Sequence, residues 1–336
     1  MAEFWACVLA LSLLLYVLLD GFDLGVGMLL AIAPSERTKQ QMIDAISPVW
    51  DGNETWLVIS AAILFGAFPL VYALLLSAFY LPLLVMLAAV ILRGVAFEFR
   101  GSATRTRWLW EGGFIGGSYA ATFVQGLTVG ALVQTLPVHD DQYVGGPFGW
   151  FSPFAVLGVF GLCLGYALLG SAWLVYKITG EARELGYHVL PRLVLAVLAF
   201  LVVAFVYALI LHLQVLDRWL ERPFLGVFPV MGLVACAGLL VSAKRRSDRL
   251  PFAMATLLFV AAFATMAFSF LPYMVPFSIT IAEAAAPLSS LSFLFWGAGL
   301  VVLPITLLYT MAIYLVFRGK TAPPGEQFAP SAEIDK

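Results

Sequence analysis

Four carboxylates stand where an apolar chain has least use for them. The stretch Asp20-Gly21-Phe22-Asp23-Leu24-Gly25-Val26-Gly27 carries two acids three residues apart, and so does Pro48-Val49-Trp50-Asp51-Gly52-Asn53-Glu54-Thr55-Trp56. Both lie at the edge of a long apolar run. A charge at the centre of a bilayer costs about 2.5–3.5 kcal/mol even on a lenient insertion scale, so such acids need a task. Three-residue spacing puts each pair on one face of a helix. Asp20 and Asp23 fall toward the carboxyl end of the first apolar run, where the helix dipole disfavours a carboxylate. Two readings stay open for them: passage of protons or cations, and a salt bridge to a partner arginine. Gly21 and Gly25 make a GxxxG step roughly 150° around the helix from the acids, a face on which a neighbouring helix can approach closely. Asp51 and Glu54 follow Ser47-Pro48, an N-cap and a first helical residue by type, so a helix start alone accounts for carboxylates there. Trp50 and Trp56 flank this second pair as interface-belt residues do.

These acids must be positioned by membrane helices. The chain of 336 residues is 62% hydrophobic and 11% charged, which excludes an ordinary soluble domain; its mean hydropathy is +0.98. Strand alternation is absent, which excludes a porin-type barrel. Nine apolar spans are read, at about 4–29, 53–72, 75–97, 113–134, 151–176, 190–213, 225–243, 251–271 and 290–317. Only Pro69 and Tyr72 divide the second from the third, and one long kinked segment is the alternative. The first span lacks a basic start and a small-residue cleavage site, so it is read as retained. Residues 1–320 form a single polytopic domain in this reading, and 321–336 a polar tail without fixed structure. With the amino terminus outside, every lysine and arginine except Arg218 and Arg222 falls on the inner side, which sets the orientation and places both acid pairs at the inner face.

Other chemistry is sparse. Cys7, Cys163 and Cys236 sit in separate spans without a CxxC and read as apolar filler. His139, His188 and His212 fall in loops or at a span end, and there is no HxxxH or CxxCH, so the chain is a poor holder of haem; Met266 and Met274 read as packing. There is no Walker A motif and no metal-binding helix motif. Gly112-Gly113 and Gly116-Gly117 are packing sites. Arg93, Glu98 and Arg100 are read as one cluster at the inner end of the third span, serving as an ion-pair network, a lipid contact or part of a proton path. Gln125 and Gln134 offer bonds to neighbouring helices, two prolines end the eighth span, and Glu283 is a solvated loop acid.

Taken together, these elements resemble subunit II of the cytochrome bd-type quinol oxidases. The resemblance rests on Asp20–Gly27, on Pro48–Leu57, on Arg93-Gly94-Val95-Ala96-Phe97-Glu98-Phe99-Arg100, on Trp110–Ser118 and on Leu271–Pro276, in that order along nearly the whole chain. Gly21, Gly25, Gly27, Trp50, Gly52, Asn53, Trp56, Arg93, Glu98 and Arg100 are its structural motif residues. The short connection at about 214–224 is similar to the cyanide-insensitive branch. The resemblance implies an all-α fold of two four-helix bundles plus one extra helix in a bacterial inner membrane. It implies a haem-bearing subunit I as partner, with b-type and d-type haems, quinol oxidised on the outer side and oxygen reduced to water. It implies neither haem nor metal on this chain, and it leaves room for a bound quinone or lipid and for small single-span accessory subunits; no nucleic acid is involved. Under it, Asp51 with Asp20 or Asp23, and Glu54 beside them, are candidates to relay protons taken up from the inside. A stand-alone secondary transporter binding its coupling ion at these acids is the alternative. Against it stand the lack of an internal repeat and the placement of the acids toward one side.

Overall fold

The computed structural model describes residues 1–321, so the expectation for the tail lies, but for Thr321, outside the described residues. The helices are α1 (Ala2–Leu29), α2 (Glu36–Asp44), α3 (Trp50–Ala67), α4 (Pro69–Ala78), α5 (Tyr80–Ser102), α6 (Arg107–Val133), α7 (Pro153–Lys177), α8 (Glu181–Ile210), α9 (Gln214–Glu221), α10 (Val227–Arg245), α11 (Leu250–Phe270), α12 (Ile281–Ala284), α13 (Leu288–Leu294) and α14 (Val302–Val316). Two small hairpins, β1 (Val138–His139) with β2 (Gln142–Tyr143) and β3 (Tyr273–Val275) with β4 (Ile279–Thr280), are antiparallel.

Two four-helix groups emerge. In the first, α5 packs on α6, and α1 packs on α3 and α6; in the second, α7 packs on α8 and α11, and α10 on α8 and α11. The groups join through α1 on α7 and α6 on α7. The α13–α14 segment, continuous through a π turn at Phe295–Gly299, is the extra element. Glycine makes the central joint possible. A Cβ on Gly25 would lie 1.9 Å from the Tyr166 carbonyl oxygen, and one on Gly170 would lie 2.5 Å from the Gly25 backbone. The GxxxG face therefore meets α7 backbone to backbone, as its small residues demand. Gly27 faces Ser118 of α6 instead.

Among the described residues, seven helices are long and apolar enough to cross a membrane, and eight spans result if the bent α3–α4 pair counts as one. The remaining long helix, α6, has 27 residues but is interrupted by Glu111, Ser118, Thr122, Gln125 and several glycines. Its length suits a span, whereas its composition suits a helix screened by neighbours. The boundary between the second and third predicted spans moves. Phe68, at φ −135° and ψ 59°, leaves the helical region before Pro69, as the proline ring requires. The chain then bends by 119° into α4, and α5 starts only at Tyr80. With the bent pair counted as one span, the two predicted spans meet at Phe79 rather than at about residues 72–75, and the first is broken at Phe68 into α3 and the short α4. The sixth span also starts earlier than read, at Glu181, because the polar first turns of α8 are tied by ion pairs and Pro191 is accommodated inside the helix.

The two ends of the bundle differ. At one end Trp5 Nε1 donates to the Leu291 carbonyl at 3.2 Å, and Ala286 N–H to the Ala67 carbonyl at 2.9 Å. The other, basic end carries α2, the α7–α8 and α10–α11 turns and the strand-like segment at Thr321.

Candidate functional site

The acids of the first motif are buried outright: Asp20 and Asp23 are 0% exposed, and Arg93 is 1% exposed between them and α3. Arg93 reaches from α5 to place Nη1 3.0 Å from Asp20 Oδ1 and 3.0 Å from Glu54 Oε1. The arginine anticipated as a salt-bridge partner is therefore this one, and it serves two helices. Its guanidinium also lies over the Phe114 ring. Asp23 takes a different partner. Asn53 Nδ2 donates to Asp23 Oδ2 at 2.7 Å and to the Leu19 carbonyl at 3.3 Å, while Asn53 Oδ1 accepts from Tyr314 OH at 2.9 Å. One turn back along α1 from Asp20, Tyr16 OH accepts from Gln125 Nε2 at 2.8 Å, and Tyr166 OH donates to Gln125 Oε1 at 2.7 Å. One turn further, the Ser12 and Ser60 hydroxyls lie 2.9 Å apart. A polar stripe thus runs along the α1–α3 seam inside an apolar bundle.

The charge count of this seam is unbalanced: three carboxyl groups lie in it with one guanidinium, which pairs with Asp20 and Glu54 while Asp23 is bonded to the neutral Asn53. Among the described residues Asp20 Oδ2, Asp23 Oδ1, and Arg93 Nε and Nη2 have no hydrogen-bond partner. Uncompensated charge in such a place costs several kcal/mol per ion, so a set of acids in excess of cations is a place where protons or water are held. The arrangement can accept, store and pass protons; it offers no nucleophile and no metal cage, since no group of three or more metal-binding side chains occurs among the described residues.

Several expectations change. Asp51 does not join the cluster: it is exposed in the first turn of α3, where the helix start accounts for it. Ser47-Pro48 is not the cap of that helix. The chain turns continuously through Ser47 and Trp50, which bond back to Ile43 and Ile46, and Val49 is the capping residue. Glu54, beyond the first turn, owes its place to Arg93 rather than to the dipole. Arg93, Glu98 and Arg100 are not one cluster. The two arginines share a face of α5 seven residues apart but serve separate networks, and Glu98 is exposed on another face. Trp56 is not a belt residue; it is buried with Tyr16, Met86 and Val124. Trp50 packs on Phe97 and lies beside Gly94, and Gly52 faces Tyr309 and Ile313 of α14.

Arg100 belongs to a second network at the basic end. Its Nη1 donates to Gln40 Oε1 at 2.8 Å, and its Nη2 lies 3.5 Å from Glu111 Oε2 and 3.6 Å from Glu36 Oε2. Lys39 bridges Glu36 and Glu111, and Arg107 adds contacts to Gln40 and Glu36. Lys39's hydrogen bond holds the Glu36 carboxyl below its ordinary value, and the hydrogen bond to Glu111 holds the Lys39 ammonium above its own. Gln125 and Gln134 do bond across helices, the latter accepting from Ser152, the N-cap of α7. His139, His188 and His212 are all exposed, so the chain's histidines do not fit axial ligation inside the bundle. The sequence pattern does not mark Tyr16, Tyr166 and Tyr314 as functional. The i, i+4 spacing of Tyr16 and Asp20 was the signal available for the first; nothing local marks the other two.

The observed architecture can be set beside known proteins. The family model described as cytochrome bd terminal oxidase subunit II matches residues 1–317. The chain belongs to the cytochrome bd terminal oxidase subunit II family. Cytochrome bd-I ubiquinol oxidase subunit 2 of Escherichia coli strain K12 is 28% identical, with 94% of each chain covered. A probable cytochrome oxidase subunit 2 of Haemophilus influenzae is 30% identical over 93% of this chain and 89% of its own. In fold, the chain matches the solved bd oxidase from Geobacillus thermodenitrificans with a TM-score of 0.78 at 15% identity, covering 94% of this chain and 97% of that one. This subunit II is thus a multi-pass protein of the bacterial inner membrane and part of an oxygen-reducing quinol oxidase. Membership in this family implies a subunit I as partner in a complex, and a stand-alone transporter is not favoured.

Proposed function

We propose that this chain is the non-haem subunit that stabilises subunit I and takes up protons from the inner side for reduction of oxygen to water. The observation that carries the reading is the buried seam in which Asp20 and Glu54 share Arg93 and Asp23 is held by Asn53. The haems on the partner supply the oxygen chemistry when bound; this chain supplies proton-handling groups and a rigid frame. Glu54 is the least enclosed of the three acids, its side chain 18% exposed. It is the natural receiver of a proton from the basic end, which is taken as the inner face because the lysines and arginines gather there. Arg93 holds Glu54 and Asp20 on a common nitrogen, so a proton released by one carboxyl has a second within reach. Asp23 extends the path, with Asn53 holding one of its oxygens and leaving the other free. Asp51 is placed at the surface, where its contribution is to the mouth of the path or the subunit boundary.

The short connection through α9, between α8 and α10, supports a place in the cyanide-insensitive branch. Bound quinone, lipid or single-span accessory subunits are compatible with the exposed apolar faces but are not needed for this reading.

The test is oxygen uptake by the purified heterodimer. Asp20→Asn and Asp23→Asn lower quinol-driven uptake by about ten-fold or more, within the range of a lost acid–base group, and keep the haem spectrum. Glu98→Gln, exposed and outside the seam, leaves it unchanged. Loss of haem from both seam variants would make the acids structural and end the relay reading.

A further inference from the structure

The last helix is poorly anchored for its length. None of the α14 residues is buried, and Ile305, Leu308, Met311, Leu315 and Val316 are each about 60% exposed or more. Its ties to the bundle gather at the basic end. Lys177 at the end of α7 donates to the Phe317 carbonyl and, at 2.7 Å, to the Gly319 carbonyl, so it caps the carboxyl end of α14. Thr321 N–H returns to the Lys177 carbonyl at 2.8 Å, and Lys320 Nζ lies 2.6 Å from Asp248 Oδ2. The strap from Phe317 to Thr321 therefore clasps α14 to the second four-helix group. Between strap and bundle lies an open crevice of about 450 Å³, lined by Asp44, Ser47, Pro48, Lys177, Lys320 and Thr321 among others. Solvent at the basic end reaches the foot of α14 through it.

One α14 side chain enters the buried seam. Tyr314 donates to Asn53 Oδ1, and that bond decides which end of the Asn53 amide faces Asp23. With Oδ1 committed to Tyr314, Nδ2 is left to donate to Asp23 and to the Leu19 carbonyl. Without it, the amide is free to rotate and to offer its oxygen to the carboxyl, which reverses the interaction. The groups facing Asp23 are Asp20 on its own helix, Asn53 and Glu54 from α3, Arg93 from α5 and Tyr314 from α14. Tyr314 alone among them rides on an element held by a surface strap.

We propose that Tyr314 is a positioning residue for proton uptake: seated by the Lys177 strap, it orients Asn53 and through it sets how Asp23 exchanges protons. This inference rests on the proton-uptake reading of the seam. It makes the last helix part of the device rather than a spare anchor, and it couples the basic-end crevice to the first buried acid on that side of Asn53.

The experiment uses the intact heterodimer. Tyr314→Phe keeps the ring and removes the hydroxyl; it lowers quinol-driven oxygen uptake about five-fold, the scale of one lost hydrogen bond, and changes its pH profile. Haem content and subunit ratio stay as in the parent. Tyr309→Phe, on the same helix with its side chain largely exposed, is the control and leaves both rate and profile unchanged. In an Asp23→Asn background, Tyr314→Phe has no further effect, because the group it positions is gone. If Asp23→Asn slows turnover while Tyr314→Phe keeps the parent rate and profile, the positioning role is wrong and the proton-uptake reading stands. If Asp23→Asn itself turns over normally, both are overturned. Equal slowing by Tyr314→Phe with and without Asp23 makes the effect structural and also overturns the proposal.

Discussion

At the scale of single residues, the seam is decided by one arginine. Arg93 is fully enclosed and pairs with Asp20 and Glu54 at once, so removing it leaves two carboxyls facing apolar side chains. Loss of one partner from a buried pair costs about 3–5 kcal/mol, more than the loss of a surface pair by several-fold. Arg93→Gln is therefore expected to lower the thermal midpoint of the purified heterodimer sharply. Adding Asp20→Asn to it should return part of that loss, because the uncompensated charge is then removed. A midpoint unchanged by Arg93→Gln would mean that the three groups do not carry opposite charges. The acids themselves were visible in the sequence as charges without an excuse. Their separation into Asp20 with Arg93, Asp23 with Asn53, and Asp51 with solvent was not, because helix spacing gives a face but not which neighbour that face meets.

At the scale of elements, α2 is a docked surface helix that buries Met42 and Ile43 in the core and turns a charged face to a set of ion pairs. Its N-cap is Ser35, which accepts from Thr38 N–H, and its charged face meets Arg100, Arg107 and Glu111. Glu36 is held below its ordinary value, so its contribution is present above about pH 4.3 and is lost as pH falls through the lowered value. Lys39 is held above its ordinary value, so its contribution is complete below about pH 10.4 and fades only as pH rises through the raised value. Amide hydrogen exchange in α2 should accordingly be flat between these limits, once corrected for intrinsic rates, and lose protection at the acid end. Glu36→Gln should remove the acid-side change. Protection that already falls near neutral pH in the parent would show that other groups hold the helix. The neighbouring α3–α4 bend has a plainer cause. Pro69 divides the two spans in the sequence, but a proline marks where a helix ends and not where the chain goes next.

At the scale of the whole molecule, the two ends are distinguished by charge, and that asymmetry predicts topology. With a cysteine-free parent, Asp141→Cys in the β1–β2 hairpin should react with a membrane-impermeant maleimide added to intact cells. Lys244→Cys, at the end of α10, should react only after the membrane is opened. The reverse pattern would invert the assignment of the basic end and with it the direction of proton uptake. The sequence by itself determined the class of this protein. Apolar runs of about twenty residues leave little choice but helices in a bilayer, because backbone groups must be satisfied within each segment. The basic residues predict a side, and the ordered motifs indicated the family. Tertiary structure alone decided the rest. It brought Arg93, 73 positions away, to Asp20, and Tyr314, 261 positions away, to Asn53. It also sent Asp51 and Glu98 outward and broke one span at Phe68 into α3 and α4. The physical reason is that helical periodicity fixes directions within an element, whereas a buried charge finds its partner only when elements pack. The paired acids divide into a buried seam of Asp20, Asp23 and Glu54 and a single surface carboxylate, Asp51.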